Sequence, residues 1–226
     1  MKLVIIIPAF NESATIYKVV KSLPKKLNGF PQIIPLVIDD GSGDTTQKEA
    51  QKSGALVVRH NINRGVGAAT KTGIVWARKN NADAAVTFDG DGQHNPRDIE
   101  KILKPIVVEN VDVVIGSRFK NRQNIPIDRL ILNWGANIMT LIFFGVFSTD
   151  TQSGLRALSK KAIKALDFKT DRMEFSSELL LEAKKHKLKM KEVATSAIYT
   201  NYSRAKGQKN TNAIPIILKL ILKWLR

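Results

Sequence analysis

The stretch TFDGDGQHNP, Thr87 to Pro96, closes an apolar run that starts at Ala84. It sets two carboxylates, two glycines, an amide and a histidine directly behind what reads as a buried strand. Gly90 and Gly92 supply what a tight turn requires. A plain turn has no need of Asp89 and Asp91 at i, i+2 on a strand end, followed by Gln93 and His94. Such a set of oxygen donors suits a hard divalent cation. The plainer alternative is an Asx turn with solvated carboxylates.

Outward from this loop, short apolar runs alternate with helical patterns, which argues for βα units and a mainly parallel, Rossmann-like α/β sheet flanked by helices. Strands are expected at Leu3–Ile7, Ile33–Ile38, Ala55–Arg59, Ala84–Phe88 and Val111–Ile115. Between them, Ser13 is placed to cap a helix through Leu27, and Asp44 one from Thr45 to Lys52. A third helix is expected over Gly67–Lys79, and Pro96 starts a fourth reaching Glu109. In open α/β sheets ligands bind beyond the carboxyl ends of the strands. Four of those ends carry polar or glycine-rich loops, PAFNE (8–12), DDGSGD (39–44), DGDGQH (89–94) and GSRF (116–119). They point to one composite site.

Beyond Pro126 the character changes. LILNWGANIMTLIFFGVF, 130–147, is apolar and aromatic but shorter than the ~20 residues a membrane span needs. With Asn133 and Asn137 inside it, it reads as a pair of helices covering the sheet or lying on a bilayer surface. A helix over Ser176–Lys187 and a strand over Val193–Thr200 follow. The last stretch, AIPIILKLILKWLR (213–226), sets Ile214, Ile217, Leu218, Ile221, Leu222 and Leu225 on one helical face. Lys219, Lys223 and Arg226 lie on another, the pattern of a helix in an anionic lipid interface. Docking on the domain itself, or on a second copy in a homo-oligomer, is the alternative. The chain therefore divides into a domain of residues 1–212 and an amphipathic helix of residues 213–226. The amino-terminal apolar run is too short for a secretory signal and reads as a strand.

The chain has 226 residues and no cysteine, which excludes disulfides, thiol catalysis and Cys–zinc sites. Its three histidines lie far apart, without metal-ligand spacing. Net charge is +16, and residues 155–226 alone hold 17 basic against 6 acidic side chains. Such a skew implies a polyanionic partner. Nucleic acid is disfavoured, because aromatic residues do not interleave with the basic ones and no binding motif is present. A nucleotidyltransferase would carry a glycine-rich basic loop after the first strand, and PAFNESA is not one. The G-x-G of NRGVGAA (63–69) lacks the third glycine and the first-strand position of a dinucleotide fingerprint.

Taken in order, PAFNE, VIDDGSGDTT (37–46), NRGVGAA, FDGDGQHNP (88–96), GSRF, TQSGLRALS (151–159) and SRAKGQK (203–209) resemble family 2 glycosyltransferases of GT-A fold. More narrowly, the set is similar to polyprenyl-phosphate sugar synthases such as the dolichyl-phosphate mannosyltransferases. A glycine stands between the two acids where that family usually has alanine. The resemblance implies a nucleotide-sugar site built from Pro8, Ala9, Phe10, Asn11, Glu12, Ile38, Asp40, Gly65, Asp89, Gly90 and Asp91. In it, Glu12 accepts from the ribose, Asp40 reads base or ribose, and Asp39 points to the other side of its strand. Gly65 lets the backbone approach the substrate. Asp91 is the direct ligand of Mg²⁺ or Mn²⁺ and Gln93 a neutral oxygen ligand, with Asp89 holding the sugar or the metal's water shell. Arg118, Arg129, Arg204, Lys206 and Lys209 hold phosphates, though Lys209 stands one residue early against the family's late Arg…Gly…Lys element.

Asp89, Asp91 and Arg118 are thus the expected catalytic set, for one in-line, inverting displacement that moves a sugar from a UDP- or GDP-sugar to a polyprenyl phosphate. That acceptor is already ionised and needs no strong base. A hydroxyl acceptor, on a glycan for example, would need a carboxylate, for which Asp150, Glu174 and Glu178 are the candidates. The expected location is peripheral, on the cytoplasmic face of a membrane.

Overall fold

The computed structural model describes residues 1–120, 127–171, 174–196 and 198, without the side chains of 127–132, 136, 143 and 144. Seven strands form one sheet: β1 (Lys2–Ala9), β2 (Gln32–Asp39), β3 (Leu56–Arg59), β4 (Ala84–Thr87), β5 (Val113–Ser117), β6 (Arg156–Ser159) and β7 (Met190–Ala194). Their order is β3-β2-β1-β4-β6-β5-β7. Every pairing is parallel except those of β6, which runs against both β4 and β5. Helices α1 (Ile16–Ser22), α2 (Thr46–Lys52), α3 (Val66–Lys79), α4 (Asp98–Glu109), α5 (Ile127–Phe144), α6 (Lys160–Ala165) and α7 (Phe175–Lys185) complete the order.

The strands are short and apolar because both faces of the sheet are covered. Leu3, Ile5, Ile7, Val86 and Val114 pack with α1 and α4 residues on one side. Val4, Ile6, Leu36, Ile38, Val113 and Leu158 pack with α3, α6 and α7 residues on the other. Gly73 of α3 sits so close to Ile6 that a Cβ would overlap its side chain, so this glycine sets the approach of helix to sheet.

Several local expectations need correction. Ser13 caps nothing: α1 starts at Ile16 and ends at Ser22, and the Ser13 N–H instead donates to Asp44 Oδ2. Thr45 takes the N-cap position of α2 without a side-chain cap bond, and Asp44, one residue earlier, accepts from the Thr46 N–H at 2.9 Å. The apolar stretch after Pro126 forms one 18-residue helix, α5, not two. Among the described residues no helix is long and apolar enough to cross a membrane. Among the described residues the last strand is Met190–Ala194; residues 197, 199 and 200 of the strand expected over Val193–Thr200, the basic element 203–209 and the segment 213–226 lie outside them.

The antiparallel β6 and the short α6 were not read from the sequence. Their consequence is spatial. The parallel strands β1, β4 and β5 deliver their carboxyl ends to one edge of the sheet. The reversed β6 delivers its amino end there, in register with Thr87 and Ile115 at Arg156. The TDTQSG loop before β6 therefore joins the same edge.

Candidate active site

The β1 and β2 loops are stitched to each other. Asn11, in the left-handed region (φ 52°), donates its N–H to Ser42 Oγ and accepts the Gly43 N–H on its own Oδ1. The Glu12 N–H donates to Thr46 Oγ1, and the Thr15 hydroxyl reaches both Glu12 Oε2 (3.0 Å) and the Gly90 carbonyl (2.8 Å). Glu12, buried, is thereby brought to the Asp89–Asp91 loop. Phe10 stands exposed at the rim, while Pro8 and Ala9 belong to β1 and Ile38 to the buried part of β2.

Asp40 is engaged inside the protein. Its Oδ2 accepts from the Gly65 N–H at 2.7 Å, its Oδ1 from the Arg64 N–H at 3.0 Å, and His60 Nδ1 lies 2.7 Å from Oδ1. Gly65 has φ 106°, where a side chain would be strained, so Asp40 and Gly65 together shape the entrance to α3. Asp39 is also fully buried. It accepts from the Ser42 N–H, and its Oδ2 has no hydrogen-bond partner.

Asp89 and Asp91 occupy different electrostatic settings. His94 Nε2 lies 2.9 Å from Asp89 Oδ2, and the His94 ring packs edge-on against Phe88. Burial pushes the Asp89 carboxyl up, but the hydrogen bond and charge of His94, with Arg118 and Arg156, hold it below the usual range. For Asp91, burial and then the Asp89 charge, with a contribution from Glu12, raise the pKa to about 6 against the Gln93 N–H. The Gln93 N–H donates to Asp91 Oδ1 (2.9 Å) and its Nε2 to Oδ2 (2.7 Å), which leaves the Gln93 amide oxygen for another ligand.

Three acids gathered at one loop, with one held up by the charge of the others, form a setting that a divalent cation would relieve. Among the described residues no group of three or more acidic, His or Cys side chains is arranged to hold a metal alone. A cation here must draw on other ligands, as Mg²⁺ and Mn²⁺ do when they bridge phosphates.

Opposite this loop, Arg118 is held by a bidentate fork to Asp150, Nε to Oδ2 at 2.8 Å and Nη2 to Oδ1 at 2.9 Å. The Arg118 N–H donates to the same carboxylate at 3.1 Å, and Asp150 is fully buried. Glu178 is also committed: it accepts from the N–H groups of Lys169 and Thr170 and from the Thr170 hydroxyl. Glu174 takes the N-cap position of α7. Arg129 lies in α5 with its side chain outside the described residues, as Arg204, Lys206 and Lys209 are altogether.

The sequence reading missed three contributors. His94, which the DGDGQH pattern alone gives no role, is the partner of Asp89. At Gly154 a Cβ would overlap the Asp89 carboxylate itself, so only glycine lets the loop before β6 close on that acid. Arg156 is buried at 2% exposure. It donates Nη2 to the Thr151 carbonyl at 2.8 Å, has no partner for Nε, and packs over the Phe175 ring. Burial brings its pKa down to about 10 against the attraction of Asp150 and Asp89. An arginine amid the apolar positions of GLRALS was the available signal, since arginine is almost never fully buried without a partner.

Acids at the end of β4, an arginine fork at the end of β5 and the loops that follow β1 and β2 thus gather at one edge of a mainly parallel sheet. The family model described as Glycosyl transferase family 2 matches residues 4–166, and the chain belongs to that family. A UDP-N-acetylglucosamine–dolichyl-phosphate N-acetylglucosaminyltransferase of Methanococcus voltae is 38% identical over 240 residues, 96% of this chain and 94% of that protein. An undecaprenyl-phosphate mannosyltransferase of Micrococcus luteus is 30% identical over 179 residues, 74% of this chain and 70% of that protein. Among solved structures, glucosyl-3-phosphoglycerate synthase of Mycobacterium tuberculosis, in complex with Mn²⁺, UDP and phosphoglyceric acid, superposes with TM-score 0.71 at 20% identity. That match covers 97% of this chain and 78% of the other, and it establishes the shared GT-A fold. The chain is a glycosyltransferase.

Proposed function

We propose that this glycosyltransferase moves a sugar from a UDP- or GDP-sugar to a polyprenyl phosphate, dolichyl or undecaprenyl, with inversion at the anomeric carbon. The observation that carries the acceptor reading concerns bases. Of the three carboxylates that could deprotonate a hydroxyl, Asp150 is forked onto Arg118 and Glu178 onto the 169–170 backbone. An acceptor that arrives ionised needs neither. The relatives named for dolichyl and undecaprenyl phosphates support the same class of acceptor.

In this reading Pro8–Glu12, Ile38, Asp40 and Gly65 frame the nucleoside, Asp40 by setting the 64–65 backbone. Asp91 and Gln93 would hold Mg²⁺ or Mn²⁺, which would supply positive charge beside the departing diphosphate. Asp89, kept ionised and oriented by His94, receives the sugar. Arg118 takes the acceptor phosphate, with Arg129, Arg204, Lys206 and Lys209 as further cations. Residues 1–212 form the catalytic domain, and residues 213–226 seat it on the anionic, cytoplasmic face of a membrane. The exposed Trp134, Ile142 and Phe147 on and beside α5 add an apolar surface of the right kind.

Asp91 also predicts a pH dependence. Its folded pKa of about 6 lies above its ordinary value of 3.8. The metal-free protein therefore loses stability from this group as pH rises through about 6, and a bound cation recovers it. The gain in Tm from saturating Mn²⁺ with nucleoside diphosphate should grow between about pH 5 and about pH 7.5 in scanning calorimetry. A gain that shrinks over that range contradicts the assignment of Asp91 to the metal.

The direct test of the reaction is incubation of a panel of UDP- and GDP-sugars with polyprenyl phosphate in detergent. One sugar should enter the lipid, and the proton NMR coupling of its anomeric position should report the configuration opposite to the donor's. A product of retained configuration rejects the single displacement.

A further inference from the structure

Among its described side chains, helix α5 turns polar groups inward and apolar ones outward. Asn133, Asn137 and Thr140, at i, i+4 and i+7, form one stripe on its inward face, with Asn133 and Thr140 buried. Trp134 and Ile142, each 68% exposed, point outward. Burying amides costs free energy unless their hydrogen bonds are made, so such a stripe does not serve packing alone. Thr140 bonds Ser177 on α7. The two asparagines bond something closer to the chemistry.

Both donate to a single backbone atom. Asn133 Nδ2 lies 2.9 Å and Asn137 Nδ2 2.8 Å from the Thr149 carbonyl. Asn137 Oδ1 then accepts the Thr151 N–H at 3.0 Å. One amide thus grips the chain on both sides of Asp150, and only a side chain that donates and accepts at once can do so. From the far side, Glu192 of β7 accepts from the Thr149 N–H (2.7 Å), the Thr149 hydroxyl (2.7 Å) and the Ser148 hydroxyl (2.6 Å). Ser117 of β5 closes the ring through the Thr149 hydroxyl at 2.6 Å. The residue pinned in this way, Asp150, is the one whose carboxylate orients the Arg118 fork.

We propose that Asn137, assisted by Asn133, is a positioning residue for Arg118, acting through the 149–151 backbone and Asp150. The proposal rests on the reading that Arg118 receives the acceptor phosphate. An arginine has four side-chain torsions, and its fork is useful to a phosphate only when aimed beforehand. Asp150 aims it, and α5 aims Asp150. The clamp belongs to the acceptor side: none of its bonds touches the Asp89–Asp91 loop or the β1–β3 loops that frame the nucleoside.

The test uses the full chain with Asn137→Leu, Asn137→Asp and Asn133→Leu. Steady-state kinetics should separate KM for the nucleotide sugar from KM for polyprenyl phosphate, with nucleoside diphosphate affinity measured by calorimetry. Asn137→Leu and Asn137→Asp should lower kcat/KM for the lipid phosphate about tenfold or more, since a misaimed group loses its preorganisation. Nucleotide affinity should stay within about twofold, because the donor loops are untouched. Asn133→Leu, which leaves the Asn137 grip in place, should show a smaller loss of the same kind, and it serves as the test if the Asn137 variants do not fold. Equal losses on donor and acceptor sides, or an unchanged lipid kcat/KM, overturn the proposal.

A second readout does not depend on the acceptor. The Arg118 Nε–H, assigned in a ¹⁵N–¹H spectrum by its disappearance in Arg118→Lys, should exchange slowly with water in the native protein. Exchange should quicken about tenfold or more in Asn137→Leu, as a loosened ion pair opens more often. If the protein transfers no sugar to lipid phosphate, the functional reading fails, and this exchange rate alone then decides the clamp. An unchanged rate overturns it.

Discussion

Asp91→Asn is expected to lower kcat about a thousandfold, the loss typical of removing a charge-stabilising group from a transition state. The substitution keeps an oxygen for the Gln93 N–H, while its NH2 takes the place of the oxygen that accepts from Gln93 Nε2, so only the Gln93 side-chain amide must turn over. It removes the negative charge through which this residue would hold a divalent cation. The same substitution should leave the metal-free protein at least as stable as before at about pH 7.5, because the Asp91 charge is held there against burial and the charges of Asp89 and Glu12. Activity and stability therefore move apart. Rates at saturating metal, with thermal melts of the metal-free variant, check both halves. A variant that retains most of its kcat, or one that loses activity only by unfolding, is incompatible with Asp91 as the metal ligand.

Gly154→Ala is expected to lower kcat about a hundredfold, the scale on which a displacement of about 1 Å acts in a preorganised site. The methyl group cannot be accommodated while Asp89 keeps its place, because all three atoms of the Asp89 carboxyl group would overlap it. Asp89 must therefore leave the contact with His94 that orients it. Some loss of stability, about 1–3 kcal/mol, accompanies such overpacking. The distinguishing measurement is a double-mutant cycle with Asp89→Asn. Since both changes strike the same carboxylate, their effects on kcat should be far from additive. Additive losses would mean that Gly154 acts through something other than Asp89.

Much of the β1, β2 and β4 side of the candidate site was legible in the sequence because its elements are local. Each parallel strand ends in a loop a few residues away along the chain, so an apolar run followed by PAFNE or DGDGQH announces both the strand and what it carries. The Arg118 side is not local. Arg118 and Asp150 are 32 residues apart and meet only because β6 reverses direction between β4 and β5. The four-residue β6, RALS, has no alternation long enough to read, and its arginine argues against a buried strand. Asn133 and Asn137 were noticed only as interruptions of an apolar run. Their bonds to the 149–151 backbone required the helix to pack amides inward, which hydrophobic periodicity alone predicts the other way round. Asp40 shows what a motif leaves out: its place at the end of β2 is legible, but its bonds to the Arg64–Gly65 backbone, 24 and 25 residues away, are not.

The measurement that bears most directly on the central claim is sugar transfer from labelled UDP- and GDP-sugars, with Mn²⁺ or Mg²⁺, run with and without polyprenyl phosphate. Asp91→Asn serves as the control. Label should enter the lipid only when polyprenyl phosphate, metal and intact Asp91 are all present, with no transfer to free glycans. Label that enters a hydroxyl acceptor, and leaves polyprenyl phosphate untouched, contradicts the account and returns the search for a catalytic base to Glu174.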